Sequence, residues 1–134
     1  MGFTALDGLP MPTRVGAIDP GVVLYLFREK GFSAPQLEKC LYEESGLLGV
    51  SGVSGDVRAL EASEDPRAVE ALEFFAYRIV REIGAMTAAL GGVNALVFTG
   101  GIGENAAAIR ARTFGHAATE TWCAAEWTKF KELV

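Results

Sequence analysis

The sequence has 134 residues, a length that fits one domain. Half of the residues are hydrophobic and 22% are charged, a composition typical of globular proteins that excludes a disordered chain. The net charge of −5 at pH 7 argues against broad binding to nucleic acids or membrane surfaces, and no apolar run reaches the roughly 18 residues of a membrane span.

The two cysteines, Cys40 and Cys123, lie far apart and form no C-x-x-C pair, so the sequence favours neither a zinc site nor a redox site. The N-terminus has neither the basic start nor the apolar core of a signal peptide. The sequence therefore predicts a protein of the reducing cytoplasm.

The first half of the chain predicts a loop followed by two helices. Residues 1–19 are rich in glycine, proline and threonine, which indicates a loop with a short hairpin. Asp19-Pro20 is a typical helix start, and Ser33-Ala-Pro35 begins a second helix by the same logic. The expected apolar faces are Val22, Val23, Leu26 and Phe27 on the first helix, and Leu37, Cys40 and Leu41 on the second.

The middle of the chain predicts a loop, a short helix and the longest helix. Residues 47–55, rich in glycine and serine, predict a loop, and Asp56 then starts a short helix. Glu64-Asp65-Pro66 starts a helix of about 25 residues that ends at Gly91-Gly92. Its predicted buried stripe consists of Val69, Leu72, Ala76, Ile79, Val80, Ile83 and Leu90.

The last third predicts a strand at Asn94–Phe98, a glycine turn at Thr99–Asn105 and a helix from Ala106. Glycines between a strand and a helix let backbone amides approach an anion closely, so the turn is a candidate phosphate cradle. Its alternative interpretation is a tight turn without a ligand. After Thr113 the pattern weakens, and residues 119–134 predict a short amphipathic helix.

The glycine turn matches G-x-G-x-x-A over Gly101–Ala106, which alone is a weak signal for dinucleotide binding. No Lys-Ser/Thr follows the glycines, so the motif is not a Walker P-loop. Dinucleotide binding would also need an acid about 20 residues further on, after a second strand. Glu120 has that spacing, but no predicted strand precedes it.

Two further loops are candidate sites. Ser51–Arg58 ends in an acid and a base: Asp56 can bind ribose hydroxyls and Arg58 can bind phosphate, although both also fit a helix cap. Pro12–Gly16 holds Arg14, which is either a surface charge or a group that neutralises charge in phosphoryl transfer.

Three motifs in this order and spacing resemble the acetate kinases. They are Met1–Leu9 with Thr13-Arg14, Gly16 and Ile18–Pro20; Ser51–Arg58; and Phe98–Asn105. The resemblance covers residues 1–112, which it identifies as a partial C-terminal domain, and leaves residues 113–134 as a divergent tail. Propionate kinases share these motifs, so the family is better determined than the acid.

The resemblance implies an α/β, ribonuclease-H-like fold of the actin, sugar kinase and heat-shock ATPase superfamily, of which this chain is an incomplete second domain. It implies in-line transfer of the γ-phosphoryl group of ATP to acetate, giving acetyl phosphate, with Mg²⁺ bound by ligands outside this chain. It assigns Arg14 to catalysis. It assigns to nucleotide binding Asp56, Val57, Arg58, Gly101, Ile102, Gly103, Glu104 and Asn105. Ile109, one helical turn further on, is expected to pack on adenine.

Two departures from the family matter. The family has glycine where this chain has Pro12, and proline fixes φ and removes an amide donor, so Arg14 is expected to point differently. The family's first domain, with its metal-site asparagine and catalytic acid, is absent from the sequence.

The sequence therefore predicts an acetate kinase fragment, inactive without its first domain, that binds adenine nucleotide and acetate or a similar short carboxylate. The family's usual dimer implies a homodimer. One alternative is a non-catalytic adenine-nucleotide-binding module or a folded remnant, and another is a dinucleotide-binding fragment.

Overall fold

The computed structural model describes residues 2–117, and its regular structure is helical. The helices are α1 (Pro20–Arg28), α2 (Ala34–Glu43), α3 (Gly46–Ser51), α4 (Val57–Glu61), α5 (Pro66–Leu90), α6 (Gly100–Asn105) and α7 (Ala107–Ala117). The chain divides into two compact units, Met1–Arg78 and Ile79–Val134. None of the helices in residues 2–117 is both long and apolar enough to cross a membrane. The helix predicted for residues 119–134 lies outside the described residues.

Local capping explains where the first two helices begin, as the sequence predicted. The Asp19 carboxylate accepts a hydrogen bond from the Gly21 amide at 2.7 Å, and Pro20 occupies the first turn of α1. At the start of α2, the Gln36 side chain accepts a hydrogen bond from the Ser33 amide at 2.8 Å. Both helices therefore start at positions fixed by neighbouring residues.

The loop predicted for residues 47–55 is partly wrong, because Gly46–Ser51 forms α3. The composition did not predict this helix, because glycine and serine have low helix propensity. Packing compensates: the Leu47 side chain is completely buried, and Gly52 ends the helix in the left-handed region with φ +62. Gly46 is the first residue of α3.

The first unit has its core on one face of α5 and on the short helices before it. The buried apolar side chains are Leu47, Val57, Leu60, Ala68, Ala71, Leu72, Phe75 and Ala76. Leu72 and Ala76 were predicted, but Val69 is 48% exposed and Leu90 is 73% exposed. The buried stripe of α5 consists of Ala68, Ala71, Leu72, Phe75 and Ala76, which recur at the three- and four-residue spacing of one helix face.

The apolar faces of α1 and α2 are less buried than predicted. The two helices pack against each other, yet neither contains a fully buried residue. On α1, Val22 is 41% exposed and Phe27 is 56% exposed. The residues predicted as the stripe of α2 are half-buried. The periodicity predicted the helices correctly and overestimated their burial.

In the second unit, the strand predicted at Asn94–Phe98 is wrong. These residues are not helical and form no strand, and no strand lies anywhere within residues 2–117. A strand exists only through hydrogen bonds to a neighbouring strand, so an isolated β-prone run does not form one. The predicted helix end at Gly91-Gly92 is confirmed, with both glycines at positive φ and the Gly92 amide bonded to the Thr87 carbonyl at 3.0 Å.

Candidate functional site

The loop that carries Arg14 is held by the start of α3. The Leu47 amide donates to the Met11 carbonyl at 3.0 Å, and the Leu48 amide donates to the Pro12 carbonyl at 2.9 Å. The first amides of a helix have no partner within the helix. Here the loop carbonyls satisfy them, which explains why a helix as short as α3 forms at this point.

Further bonds complete this attachment. The Ser45 amide donates to the Thr13 carbonyl at 2.9 Å, and the Met11 amide donates to the Arg14 carbonyl at 3.0 Å. The Thr13 hydroxyl donates to the Tyr42 carbonyl at 2.8 Å. All four carbonyls of residues 11–14 therefore accept a hydrogen bond, and the backbone at Arg14 has little freedom.

Pro12 fits this arrangement through its carbonyl, which accepts from Leu48. The bonds that close the loop use the amides of Met11 and Val15, so a proline between them removes none of these bonds. Whether Arg14 points differently from its counterparts in kinases with glycine at this position stays a prediction.

The Arg14 side chain contrasts with its backbone. It is exposed, and within residues 2–117 its guanidinium has no hydrogen-bond or ion-pair partner. Some other arginines do have partners: Arg58 pairs with Asp56, and Arg110 donates to the Gly103 carbonyl at 2.9 Å. Within residues 2–117, Arg14 thus combines a hydrogen-bonded backbone with an unpaired guanidinium, a group whose geometry suits carboxylate or phosphate.

The second predicted segment, Ser51–Arg58, lies beside this loop. A Cβ atom added to Gly55 would lie 2.6 Å from the Pro12 carbonyl oxygen, so the two backbones are in close contact. The buried Ser51 hydroxyl shapes the segment: it donates to the Ser54 carbonyl at 3.0 Å and accepts from the Val53 amide at 3.1 Å. The fold of the first unit therefore brings together two of the three predicted motifs.

Asp56 and Arg58 bind each other at the start of α4. The Asp56 carboxylate accepts from the Arg58 amide at 2.9 Å and from the Arg58 guanidinium at 2.9 Å. These bonds lower the pKa of Asp56 and raise the pKa of Arg58. Val57 is 4% exposed and packs in the core, so its side chain is not accessible to a ligand.

The same arrangement occurs again at the start of α5. The Asp65 carboxylate accepts from the Arg67 amide at 2.9 Å and from the Arg67 guanidinium at 2.7 Å. An Asp-x-Arg cap is therefore a structural device in this chain, and the geometry at Asp56 does not by itself indicate a ligand. Asp65 and Arg67 provide an internal control for Asp56 and Arg58.

The Asp65 cap predicts a dependence of stability on pH. The hydrogen bonds from Arg67 lower the pKa of Asp65 from 3.8 to about 2. A folded-state pKa below the unfolded value stabilises the fold above pH 3.8, and this stabilisation is lost as the pH falls towards about 2. We expect Asp65→Asn to be less stable at neutral pH and to lose less stability in that acid window. Urea midpoints across the window would show this, and parallel curves for the two proteins would contradict it.

The third predicted segment, in the second unit, is a short helix and not the glycine turn expected after a strand. The Glu104 carboxylate of α6 accepts from the Gly100 amide at 3.1 Å, and the Asn105 amide group donates to the Gly101 carbonyl at 2.9 Å. Arg110 donates to the Glu104 carbonyl at 2.9 Å. Side chains from this segment and from α7 therefore satisfy part of its backbone.

Exposure separates the predicted residues of this segment. Gly101, Glu104 and Asn105 are exposed, whereas Ile102 and Gly103 are half-buried. The expectation that Ile109 packs on adenine is wrong, because its side chain is 2% exposed in the folded chain. Ile109 belongs to the buried side of α7, together with Thr113.

Several contributors to these segments were missed. Backbone carbonyls accept hydrogen bonds from the Leu47 and Leu48 amides and from the Arg110 guanidinium. Other carbonyls lie close to Gly46 and Gly55, where a side chain would not fit. A sequence pattern contains no sign of such contacts between distant segments. Within residues 2–117, no group of three or more His, Cys, Asp or Glu side chains could hold a metal ion.

Comparison with known proteins gives a consistent result. The model of the acetokinase family matches residues 1–121. The acetate kinase of Rhodopseudomonas palustris (strain TIE-1) is 64% identical over 118 residues, covering 88% of this chain and 30% of the relative. The acetate kinase of Nitrobacter hamburgensis is 61% identical over 112 residues, covering 84% of this chain and 28% of the relative.

Two solved structures are also similar. Porphyromonas gingivalis acetate kinase superposes with a TM-score of 0.81 at 43% identity, covering 84% of this chain and 29% of that one. A propionate kinase from Francisella tularensis superposes with a TM-score of 0.82 at 40% identity, covering 88% of this chain and 31% of that one. The chain spans about 30% of the length of the R. palustris relative. The chain belongs to the acetokinase family.

Proposed function

We propose that this chain is part of an acetate kinase that transfers the γ-phosphoryl group of ATP to acetate, and that it does not catalyse this reaction alone. The observation that carries the proposal is the Arg14 loop: its backbone is held by hydrogen bonds and contacts Gly55 through Pro12, and within residues 2–117 its exposed guanidinium has no partner. Family membership supports the same reaction class. Propionate or another short carboxylate is the alternative acceptor, since one similar structure is a propionate kinase.

In the proposed reaction, a carboxylate oxygen of acetate attacks the γ-phosphorus in line as the bond to the β-bridging oxygen breaks. ADP leaves with the electrons of that bond, and acetyl phosphate is the other product. Negative charge develops on the transferred group and the leaving oxygen, and positioning and electrostatics supply most of the rate. Arg14 would neutralise that charge through its planar, permanently charged guanidinium.

We assign nucleotide binding to Asp56, Val57 and Arg58 at the start of α4, and to Gly101–Asn105 in α6. Asp56 would bind ribose hydroxyls and Arg58 would bind phosphate or stack on the base. The exposed residues of α6, Gly101, Glu104 and Asn105, would contact the nucleotide directly. Magnesium would be held by ligands outside this chain, and the described residues do not fit such a site.

The remaining predictions follow from the family. The complete kinase would have a ribonuclease-H-like α/β fold, to which residues 1–112 contribute part of the C-terminal domain. Its strands would need partners from outside residues 2–117. Residues 113–134 would form a divergent tail, the kinase would be a homodimer, and its location would be the cytoplasm.

The proposal is tested by titrating the chain with ATP after changing one of two arginines with the same local geometry. Arg58→Ala is expected to weaken ATP binding about 10- to 150-fold, because a charge-assisted contact contributes roughly 1.5–3 kcal/mol. Arg67→Ala removes the same charge from the same kind of cap and is expected to leave the affinity unchanged. Calorimetry would measure both dissociation constants.

Equal effects of the two substitutions would contradict the assignment of Arg58. One alternative is a non-catalytic adenine-nucleotide-binding module or a folded remnant. A remnant would bind no ATP and would give no activity with the rest of the kinase. Tighter binding of NADH than of ADP would favour the dinucleotide-binding alternative.

A further inference from the structure

We infer that Gly46 and Gly55 are positioning residues for Arg14, an inference that rests on the proposed function. Neither glycine is proposed to contact a substrate, and each acts through Arg14. Each lets the backbone of residues 11–14 lie directly against a neighbouring segment, and this contact sets the direction in which the Arg14 guanidinium leaves the protein surface.

Gly46 lies directly under the loop. A Cβ atom at this position would lie 2.1 Å from the Met11 carbonyl oxygen and 2.7 Å from the Arg14 carbonyl oxygen, both backbone atoms. No side-chain rotation relieves such a contact, so the loop or the start of α3 must move. The two bonds donated by Leu47 and Leu48 depend on that same approach.

Gly55 belongs to the second predicted segment and contacts the loop of residues 11–14. Its added Cβ atom would lie 2.6 Å from the Pro12 carbonyl oxygen and 3.0 Å from the Pro12 Cβ. Gly55 is not in the left-handed region, so a substitution there tests the contact without backbone strain. The two glycines therefore act on Met11–Arg14 from two different segments.

Gly31 supplies the matched control. Gly46 and Gly31 have φ values of +61 and +69, so alanine is conformationally strained at both. A Cβ atom at Gly31 would meet nothing within 4 Å. Comparing the two alanine variants separates the displacement of the Arg14 loop from the cost of a positive φ.

The experiment measures two properties of the full chain and of four variants, Gly46→Ala, Gly55→Ala, Gly31→Ala and Arg14→Ala. The first is hydrogen exchange at the Met11 and Val15 amides. The second is the ratio of ATP affinity to ADP affinity, which reports the contact of Arg14 with the terminal phosphate. Arg14→Ala is expected to lower that ratio about tenfold.

Gly46→Ala and Gly55→Ala are expected to lower the ratio as Arg14→Ala does, with ADP affinity unchanged. They are also expected to speed exchange at the two amides about tenfold relative to Gly31→Ala. If Gly46→Ala does not fold, the affinity ratio and the hydrogen exchange of Gly55→Ala alone test the inference. A wild-type ratio in a folded glycine variant overturns the inference. A wild-type ratio in Arg14→Ala overturns instead the proposed role of Arg14, and the inference that rests on it.

Discussion

Arg14→Ala is expected to slow acetyl phosphate formation about 10²- to 10³-fold when this chain is mixed with the remaining part of the Rhodopseudomonas palustris kinase. Loss of one preorganised group that stabilises transition-state charge typically has this effect. The backbone of Arg14 is held by bonds that do not involve its side chain, so the substitution is expected to leave the fold intact. A coupled assay of ADP release would measure the rate.

Arg28→Ala is the matched control for this prediction. Arg28 is exposed on the last turn of α1, and within residues 2–117 its side chain also has no partner. Its removal changes the net charge equally and is expected to leave the rate within about twofold, as for surface substitutions away from special features. A rate for Arg14→Ala as high as that for Arg28→Ala would contradict the catalytic role.

Leu47→Ala is expected to lower the free energy of unfolding by about 2–5 kcal/mol, the usual range for a fully buried leucine. Leu47 is 0% exposed, so its replacement by alanine would leave a cavity. Because α3 also donates hydrogen bonds to the Arg14 loop, the cavity would loosen both α3 and that loop. Val50→Ala, on the same helix at a position that is 38% exposed, is expected to cost less than about 1 kcal/mol. Urea unfolding of both variants would measure the difference, and equal losses would show that α3 is not anchored through Leu47.

The structural features that the sequence predicted correctly are those whose causes are local. Asp19, Asp56 and Asp65 each precede a helix because a carboxylate can accept hydrogen bonds from amides two residues on. Gly91-Gly92 ends α5 because glycine adopts positive φ without strain. The family was likewise predictable, because three separate motifs occur in one order.

The features that the sequence did not predict depend on contacts between distant segments. Helix α3 forms because carbonyls more than 30 residues earlier accept its first amides, a fact that no window of sequence contains. Asn94–Phe98 has strand-like residues, but a strand requires a neighbouring strand, and none lies within residues 2–117. Ile109 was expected beside adenine from helical spacing alone, which does not indicate which side of α7 is buried.

Acetyl phosphate formation from ATP and acetate, measured for three samples, tests the central claim most directly. The samples are this chain alone, the remaining part of the R. palustris kinase alone, and their mixture. We predict product above background only in the mixture, because in the proposed reaction this chain would supply Arg14 and part of the nucleotide-binding surface, and the other part would supply the rest. A mixture no more active than its separate parts, or turnover by this chain alone, would contradict the claim.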